Sequence, residues 1–293
     1  MSGYLFDNVV IIGVGFVGGS MGLALKRRDL ARKVRGIGPN REGLERAMAV
    51  GAIDSYTLDL KGGVVTADLV IVATPVGMIV PVVDTIAPFL KRGAVVTDMG
   101  SVKSEIAKKC DEIMREGTYF VGGHPMIKSD KTGAESASAN AFLRARYIIT
   151  PTLHTAISAL TSVTALVESL GASCELMDPD EHDRTVAIAG HLPHVMSAAL
   201  LHTFGVSSIN LPKLPEMTAA SFDDMTRASE SSAEYQRDIC LTNSAALTAV
   251  IDDCIGNMER LKDMIAREDG KGLREFFDRA RQIRRESEER KPR

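Results

Sequence analysis

The run Val9-Val10-Ile11-Ile12 is too short for a helix, and it leads into Gly13-Val14-Gly15-Phe16-Val17-Gly18, directly ahead of a helical pattern over residues 18–28. A GxGxxG loop in this position leaves few folds open. The first glycine makes the tight turn, the second admits a pyrophosphate to the backbone, and the third lets helix and strand pack closely. Gly13, Gly15, Phe16, Val17 and Gly18 are therefore candidate contacts to a dinucleotide.

Strand-like runs at 34–37, 69–73, 94–97, 119–121 and 146–150 alternate with helical stretches at 41–50, 79–90 and 103–115. That alternation specifies an α/β fold with a doubly wound parallel sheet of the Rossmann type. After Pro151 long Ala-, Leu- and Met-rich helices take over, at 155–170, 179–203, 233–266 and 272–285, with one strand-like piece at 173–177. The expected division is a dinucleotide-binding domain over residues 1–151 and an all-helical domain over residues 152–293.

The 35 basic and 38 acidic residues nearly balance, so the chain has no electrostatic footprint for nucleic acid. No apolar run reaches the roughly 18 residues of a membrane span, and residues 1–7 lack the pattern of a signal peptide. Cys110, Cys174, Cys240 and Cys254 are scattered and form no CxxC pair. A reduced, cytoplasmic setting without a membrane partner is expected.

An NAD-binding second strand usually ends in an acid that holds the ribose hydroxyls. Here the chain reads Gly36-Ile37-Gly38-Pro39-Asn40-Arg41, with glycine at that place. Loss of the acid removes repulsion of a 2′-phosphate, and Arg41 beside Asn40 can bond one. The reading leans to NADP and leaves NAD open, since Arg41 can equally be a solvated residue at a helix start.

Ligands of a parallel sheet gather at the carboxyl ends of its strands. Thr74-Pro75 ends one strand, Asp98-Met99-Gly100-Ser101 another, and Gly122-Gly123-His124 a third. Thr74, Pro75 and Ser101 thus join the candidate cofactor contacts, and Ser101 with His124 forms a candidate hydroxyl–imidazole pair. An imidazole titrating near neutrality can take the proton of an alcohol while hydride leaves for a nicotinamide. Ser101 can orient that ring, cap the following helix, or do both. His182, His191 and His194 could bind a metal only without the usual carboxylates, so no metal is expected.

These pieces, with His191-Leu192-Pro193-His194 and Asp224-Met225-Thr226-Arg227 downstream, run in one order from residue 8 to about 240. In that combination, including Gly123-His124-Pro125-Met126, the chain resembles the prephenate and arogenate dehydrogenases of tyrosine biosynthesis. The resemblance implies oxidative decarboxylation of prephenate or arogenate to 4-hydroxyphenylpyruvate or tyrosine, with His124 taking the hydroxyl proton. It also implies that Arg227 holds the ring carboxylate, that His194 and Ser129 hold the side-chain carboxylate with His191 behind them, and that the helical domain pairs two copies into a homodimer. The position six residues after the catalytic histidine influences substrate choice in that family, and here it is Asp130. A carboxylate there can pair with the ammonium of arogenate, while Lys128 can neutralise Asp130 or assist either substrate's carboxylates.

The chain departs from the family pattern at Ile127-Lys128, where a small residue and Gly are usual, at Gln236, where an aromatic is common, and at Gly190, where Ser is frequent. A β-hydroxyacid dehydrogenase is the other enzyme reading, but its catalytic lysine on the first long helix has no counterpart in residues 153–170. A non-catalytic NADP-binding sensor would keep the glycine loop and need not keep Ser101, His124 and Arg227.

Overall fold

The computed structural model describes residues 3–127 and 132–290. In chain order the first elements are β1 (Phe6–Ile12), α1 (Phe16–Arg27), β2 (Ala31–Ile37), α2 (Arg41–Ala49), β3 (Ser55–Thr57), α3 (Leu60–Gly63), β4 (Leu69–Val72) and α4 (Ile79–Ile86). β5 (Val95–Asp98), α5 (Ser104–Ile113), β6 (Tyr119–Pro125), β7 (Arg146–Thr150), α6 (Ile157–Ser169) and β8 (Ser173–Leu176) follow. The remaining elements are helical: α7 (Pro179–Val186), a π-helical turn (Ala187–His191), α8 (Leu192–Ser208), α9 (Ala220–Thr226), α10 (Ala233–Thr242), α11 (Ser244–Ala266) and α12 (Gly270–Glu289). Contacts divide the chain into two compact units, one up to Ser244 and one from Ala245 onward.

The strands form one sheet in the order β3-β2-β1-β4-β5-β6-β7-β8. Strand order reverses between β1 and β4, which is where a doubly wound sheet opens its ligand crevice. Both faces of the sheet are covered, and the strand sequences show why. Val9 and Ile11 of β1 join Met21, Leu25 and Leu44 on one side. Val10 and Ile12 join Ile79, Val83, Ile106 and Cys110 on the other. A strand buried on both faces reads as an unbroken apolar run, as Val9 to Ile12 of β1 and the whole of β4 do.

Three expectations change here. β7 runs antiparallel to β6, with His124 opposite Ile148, because residues 126–145 carry no crossover helix among the described residues and so return the chain beside β6. The strand-like piece at 173–177 is β8, which pairs with β7, and α6 buries Val163, Leu166 and Val167 in the sheet's own core. The sheet and its covering helix therefore extend to Leu176, past the boundary expected at residue 151. Finally, the helix expected over 233–266 is broken at Asn243, whose amide turns inward to bond the Asp183 carbonyl oxygen at 3.0 Å.

In the second unit α11 and α12 are joined through Glu268, at φ 54°, and Asp269, whose carboxylate caps α12 by accepting the Gly272 N–H at 2.9 Å. Ile255, Met258, Ile265, Phe277 and Ile283 on these helices are exposed in the single chain.

Candidate active site

Gly13 closes β1 at φ 90°, and a Cβ there would stand 2.6 Å from the Ala73 carbonyl oxygen, so only glycine fits the turn. At Gly15 a Cβ would meet nothing within 4 Å, which leaves the loop backbone open to approach. α1 has no side-chain cap and no acid in its first turn, so its first N–H groups and positive dipole end are free for a pyrophosphate. Thr74, beside Pro75 at the end of β4, buries a hydroxyl with no hydrogen-bond partner among the described residues. Open backbone, uncapped helix and orphan hydroxyl all fit a dinucleotide.

At the end of β2, Asn40 caps α2 by accepting the Gly43 N–H at 3.3 Å, and Arg41 beside it is exposed. A Cβ on Gly38 would touch only Leu44, at 3.7 Å or more. Packing therefore does not demand a glycine where an NAD-binding acid would sit.

Asp98, fully buried at the end of β5, clips the reacting end of the sheet together. Its carboxylate accepts the Gly100 N–H at 2.8 Å and the Gly123 N–H at 3.1 Å, and it pairs with the equally buried Lys103 ammonium. Gly100 precedes Ser101 and Gly123 precedes His124, so one carboxylate fixes both candidate catalytic segments. The double glycine before His124 answers to close packing: a Cβ on Gly123 would lie 2.8 Å from the Asp98 carbonyl oxygen and 3.0 Å from the Tyr147 ring.

His124 is partly exposed on the last turn of β6. Its Nδ1 lies 2.8 Å from Nε2 of His182, and Nδ1 of His182 lies 2.8 Å from Oδ1 of Asp183. Asp183 in turn accepts the N–H groups of Lys103 at 2.7 Å and Ser104 at 2.8 Å. It thereby caps α5, the task that Ser101 was a candidate for; α5 starts at Ser104, beyond reach of a Ser101 cap. The Ser101 hydroxyl instead sits 3.5 Å from the Tyr235 hydroxyl of α10. Burial pulls the His124 imidazole well below its ordinary titration range, and His182, Lys103 and His191 push it further down. At neutral pH His124 is an uncharged base.

His191, in the π-turn, is buried with Nδ1 3.2 Å from the Asn243 amide nitrogen. Such turns inside helices often mark functional sites. His194 donates from Nδ1 to the Ala228 carbonyl oxygen at 2.8 Å, and the Gln236 amide lies 3.1 Å from the same nitrogen. Arg227 is next in sequence to Ala228, yet its guanidinium turns outward to Asp224 at 2.5 Å, and both side chains are exposed. The chain thus brings the backbone of Ala228 to His194 while the Arg227 side chain pairs with Asp224. Lys128, Ser129 and Asp130 lie outside the described residues.

His182, Asp183, Asn243 and Tyr235 were not singled out as site residues by sequence reasoning. A His-Asp dipeptide in the first turns of α7 was the one visible signal, and considered as a metal ligand His182 has both ring nitrogens already engaged.

Burial holds the His191 imidazole down at about 4 from 6.5, against the attraction of Asp183 and with His182 and His194 adding to the fall. Between those values the unfolded chain binds a proton that the folded chain does not. Stability is therefore present above pH 6.5 and drains away as pH falls towards 4, by about 3 kcal/mol for this group alone. Denaturant melts at pH 7 and pH 4.5 should show that loss, and a His191→Gln variant should lose distinctly less.

Comparison with known families agrees with this geometry. Residues 21–176 match the model for the prephenate dehydrogenase nucleotide-binding domain, and residues 178–279 match that for the prephenate dehydrogenase dimerization domain. The chain is 31% identical over 279 residues to prephenate dehydrogenase of Bacillus subtilis (strain 168), covering 95% of this chain and 75% of that one. It is 30% identical over 281 residues to cyclohexadienyl dehydrogenase of Zymomonas mobilis, covering 96% of each. The crystal structure of prephenate dehydrogenase from A. aeolicus, in complex with hydroxyphenyl propionate and NAD+, superposes with a TM-score of 0.90 at 32% identity, covering 96% of this chain and 98% of that one. With a glycine-loop crevice and a neutral, partly exposed imidazole at the sheet's edge, and matched along nearly its whole length to one family of nicotinamide-dependent oxidoreductases, this chain belongs to the prephenate dehydrogenase family.

Proposed function

We propose that the chain oxidatively decarboxylates a cyclohexadienol, prephenate or arogenate, with His124 as the base that takes the carbinol proton. The observation that carries this reading is the uncharged imidazole at the C-terminal end of β6, with Nδ1 engaged by His182 and Nε2 free of any bond to a described residue. The nicotinamide, when bound, supplies the hydride acceptor. Gly13, Gly15, Phe16, Val17 and Gly18 hold the pyrophosphate, Thr74, Pro75 and Ser101 border the nicotinamide, and Asn40 and Arg41 receive the adenosine ribose.

His124 deprotonates the hydroxyl as hydride departs, and Ser101 shares the same hydroxyl. Loss of the ring carboxylate as carbon dioxide leaves an aromatic phenolate, which takes the proton back, so the base is restored in each turnover. Arg227 is assigned to the ring carboxylate because a guanidinium binds it through two bonds. That role requires Arg227 to leave Asp224. His194 and Ser129 are assigned to the substrate's side-chain carboxylate.

The missing acid at Gly38, with Arg41 beside it, favours NADP over NAD. The match to a dimerization domain and the exposed apolar side chains of α11 and α12 support a homodimer. Among the described residues no single helix is long and apolar enough to cross a membrane, and with four free cysteines a reduced cytoplasmic setting is the natural one.

Asp130 points to arogenate preference or dual specificity, because it can pair with the ammonium of arogenate and gains nothing from the ketone of prephenate. Such a pair is worth about 1–3 kcal/mol, or roughly tenfold to hundredfold in relative efficiency. The test is kcat/KM on both substrates with each cofactor, for the native chain and for Asp130→Asn. The variant should shift the ratio towards prephenate; an unchanged ratio would remove Asp130 from substrate choice.

A further inference from the structure

The proposed base does not stand alone, and its hydrogen bonds fix which nitrogen carries which proton. Asp183 spends both carboxylate oxygens as acceptors, Oδ1 to the Lys103 N–H and Oδ2 to the Ser104 N–H, at the positive end of α5. Nδ1 of His182, 2.8 Å from that Oδ1, must therefore donate. Nε2 of His182 is then an acceptor, so Nδ1 of His124, 2.8 Å away, must donate to it. The only lone pair left on the His124 ring is on Nε2. His182 is fully buried, so water does not supply this order; the Asp183 carboxylate does.

We propose that His182 and Asp183 are positioning residues that hold His124 in its basic tautomer and take up the charge created when it acts. This rests on the reading of His124 as the base. As the substrate hydroxyl proton arrives at Nε2 of His124, the proton on its Nδ1 moves to Nε2 of His182. The cation then sits on His182, against Asp183, rather than on His124. Both shifts reverse when the product phenolate reclaims its proton. No proton is gained or lost by the pair over the cycle, and the electron pair leaves the substrate as hydride to the nicotinamide while the ring–carboxylate bond breaks.

The charged and titratable groups that face His182 are few. Among the described residues they are His124 from β6, Asp183 from its own helix and His191 from the π-turn, while the Lys103 ammonium, paired with Asp98, acts on His124 from the β5–α5 junction. Of these Asp183 alone offers a negative oxygen in contact. A proton added to the resting pair enters at the free lone pair, Nε2 of His124, which silences the base.

His182→Gln separates the roles, because a glutamine oxygen can still accept from Nδ1 of His124 but cannot take a proton. Cofactor affinity and substrate KM should stay within about threefold of the native enzyme while kcat falls by about tenfold to a hundredfold. The acid limb of the pH–rate profile should move to lower pH by about one unit, since the silencing proton must now stay on the His124 ring with no second imidazole to pass its charge to a carboxylate. A purely structural role for His182 leaves that limb where it was, and an unmoved limb or a near-native kcat overturns the relay. Imidazole nitrogen chemical shifts of the native enzyme test the same idea without a variant. His124 and His182 should both read as Nδ1–H tautomers, and an Nε2–H tautomer on His124 contradicts the proposal. Full turnover by His124→Asn would instead remove the base reading itself, which distinguishes that failure from failure of the relay.

Discussion

His124→Asn should reduce kcat by two or more orders of magnitude, the span typical of losing a general base, while cofactor affinity and thermal stability remain close to native. The asparagine amide is neutral and small enough for the space at the end of β6. It can still face His182, but it offers no nitrogen lone pair to a hydroxyl. Cofactor affinity is expected to be spared because the proposed dinucleotide cradle, the Gly13–Gly18 loop and the uncapped start of α1, is not built by His124. Turnover and dinucleotide titration on the same purified variant check both halves of the expectation, and near-native turnover would refute the role.

A larger effect on the fold is expected at Asp98. Among the described residues its carboxylate is the one charge bonded to the buried Lys103 ammonium, and it also satisfies the Gly100 and Gly123 amides. Asp98→Ala strands a cation where water does not reach and orphans two N–H groups, at a cost of about 3–5 kcal/mol. That is a large share of a typical domain stability of roughly 5–15 kcal/mol. Combining Asp98→Asn with Lys103→Met removes both charges and should recover much of the loss relative to either single charge deletion, because the penalty lies in the unpaired charge rather than in the missing pair. Equilibrium urea unfolding of the single and double variants decides this. Additive losses would mean that the pair is not coupled.

Much of this architecture could be read from residue order, since period and punctuation are local properties. The glycine loop, the apolar strands and the placement of Thr74, Ser101 and His124 at the ends of the neighbouring strands β4, β5 and β6 are legible from them. The reversal of β7 did not, because it depends on what residues 126–145 fail to form. The break at Asn243 was hidden by a continuous helical pattern; it arises from a side chain drawn inward to Asp183 and His191. His182 escaped as a site residue for a similar reason. It meets His124 across 58 residues of chain, and only the packing of α7 against the start of α5 brings them together. Arg227 shows the converse: its motif is legible, but its guanidinium rests on Asp224 at the surface.

Hydride transfer in this crevice is expected to be coupled to decarboxylation through His124. The direct test is to mix purified protein with NADP or NAD and either prephenate or arogenate, following reduced-cofactor absorbance and carbon dioxide release together. Reduced cofactor and carbon dioxide should appear in equal amounts with at least one substrate, and neither at an appreciable rate in His124→Asn. Cofactor reduction without carbon dioxide, or no reduction with either substrate and either cofactor, would contradict that expectation.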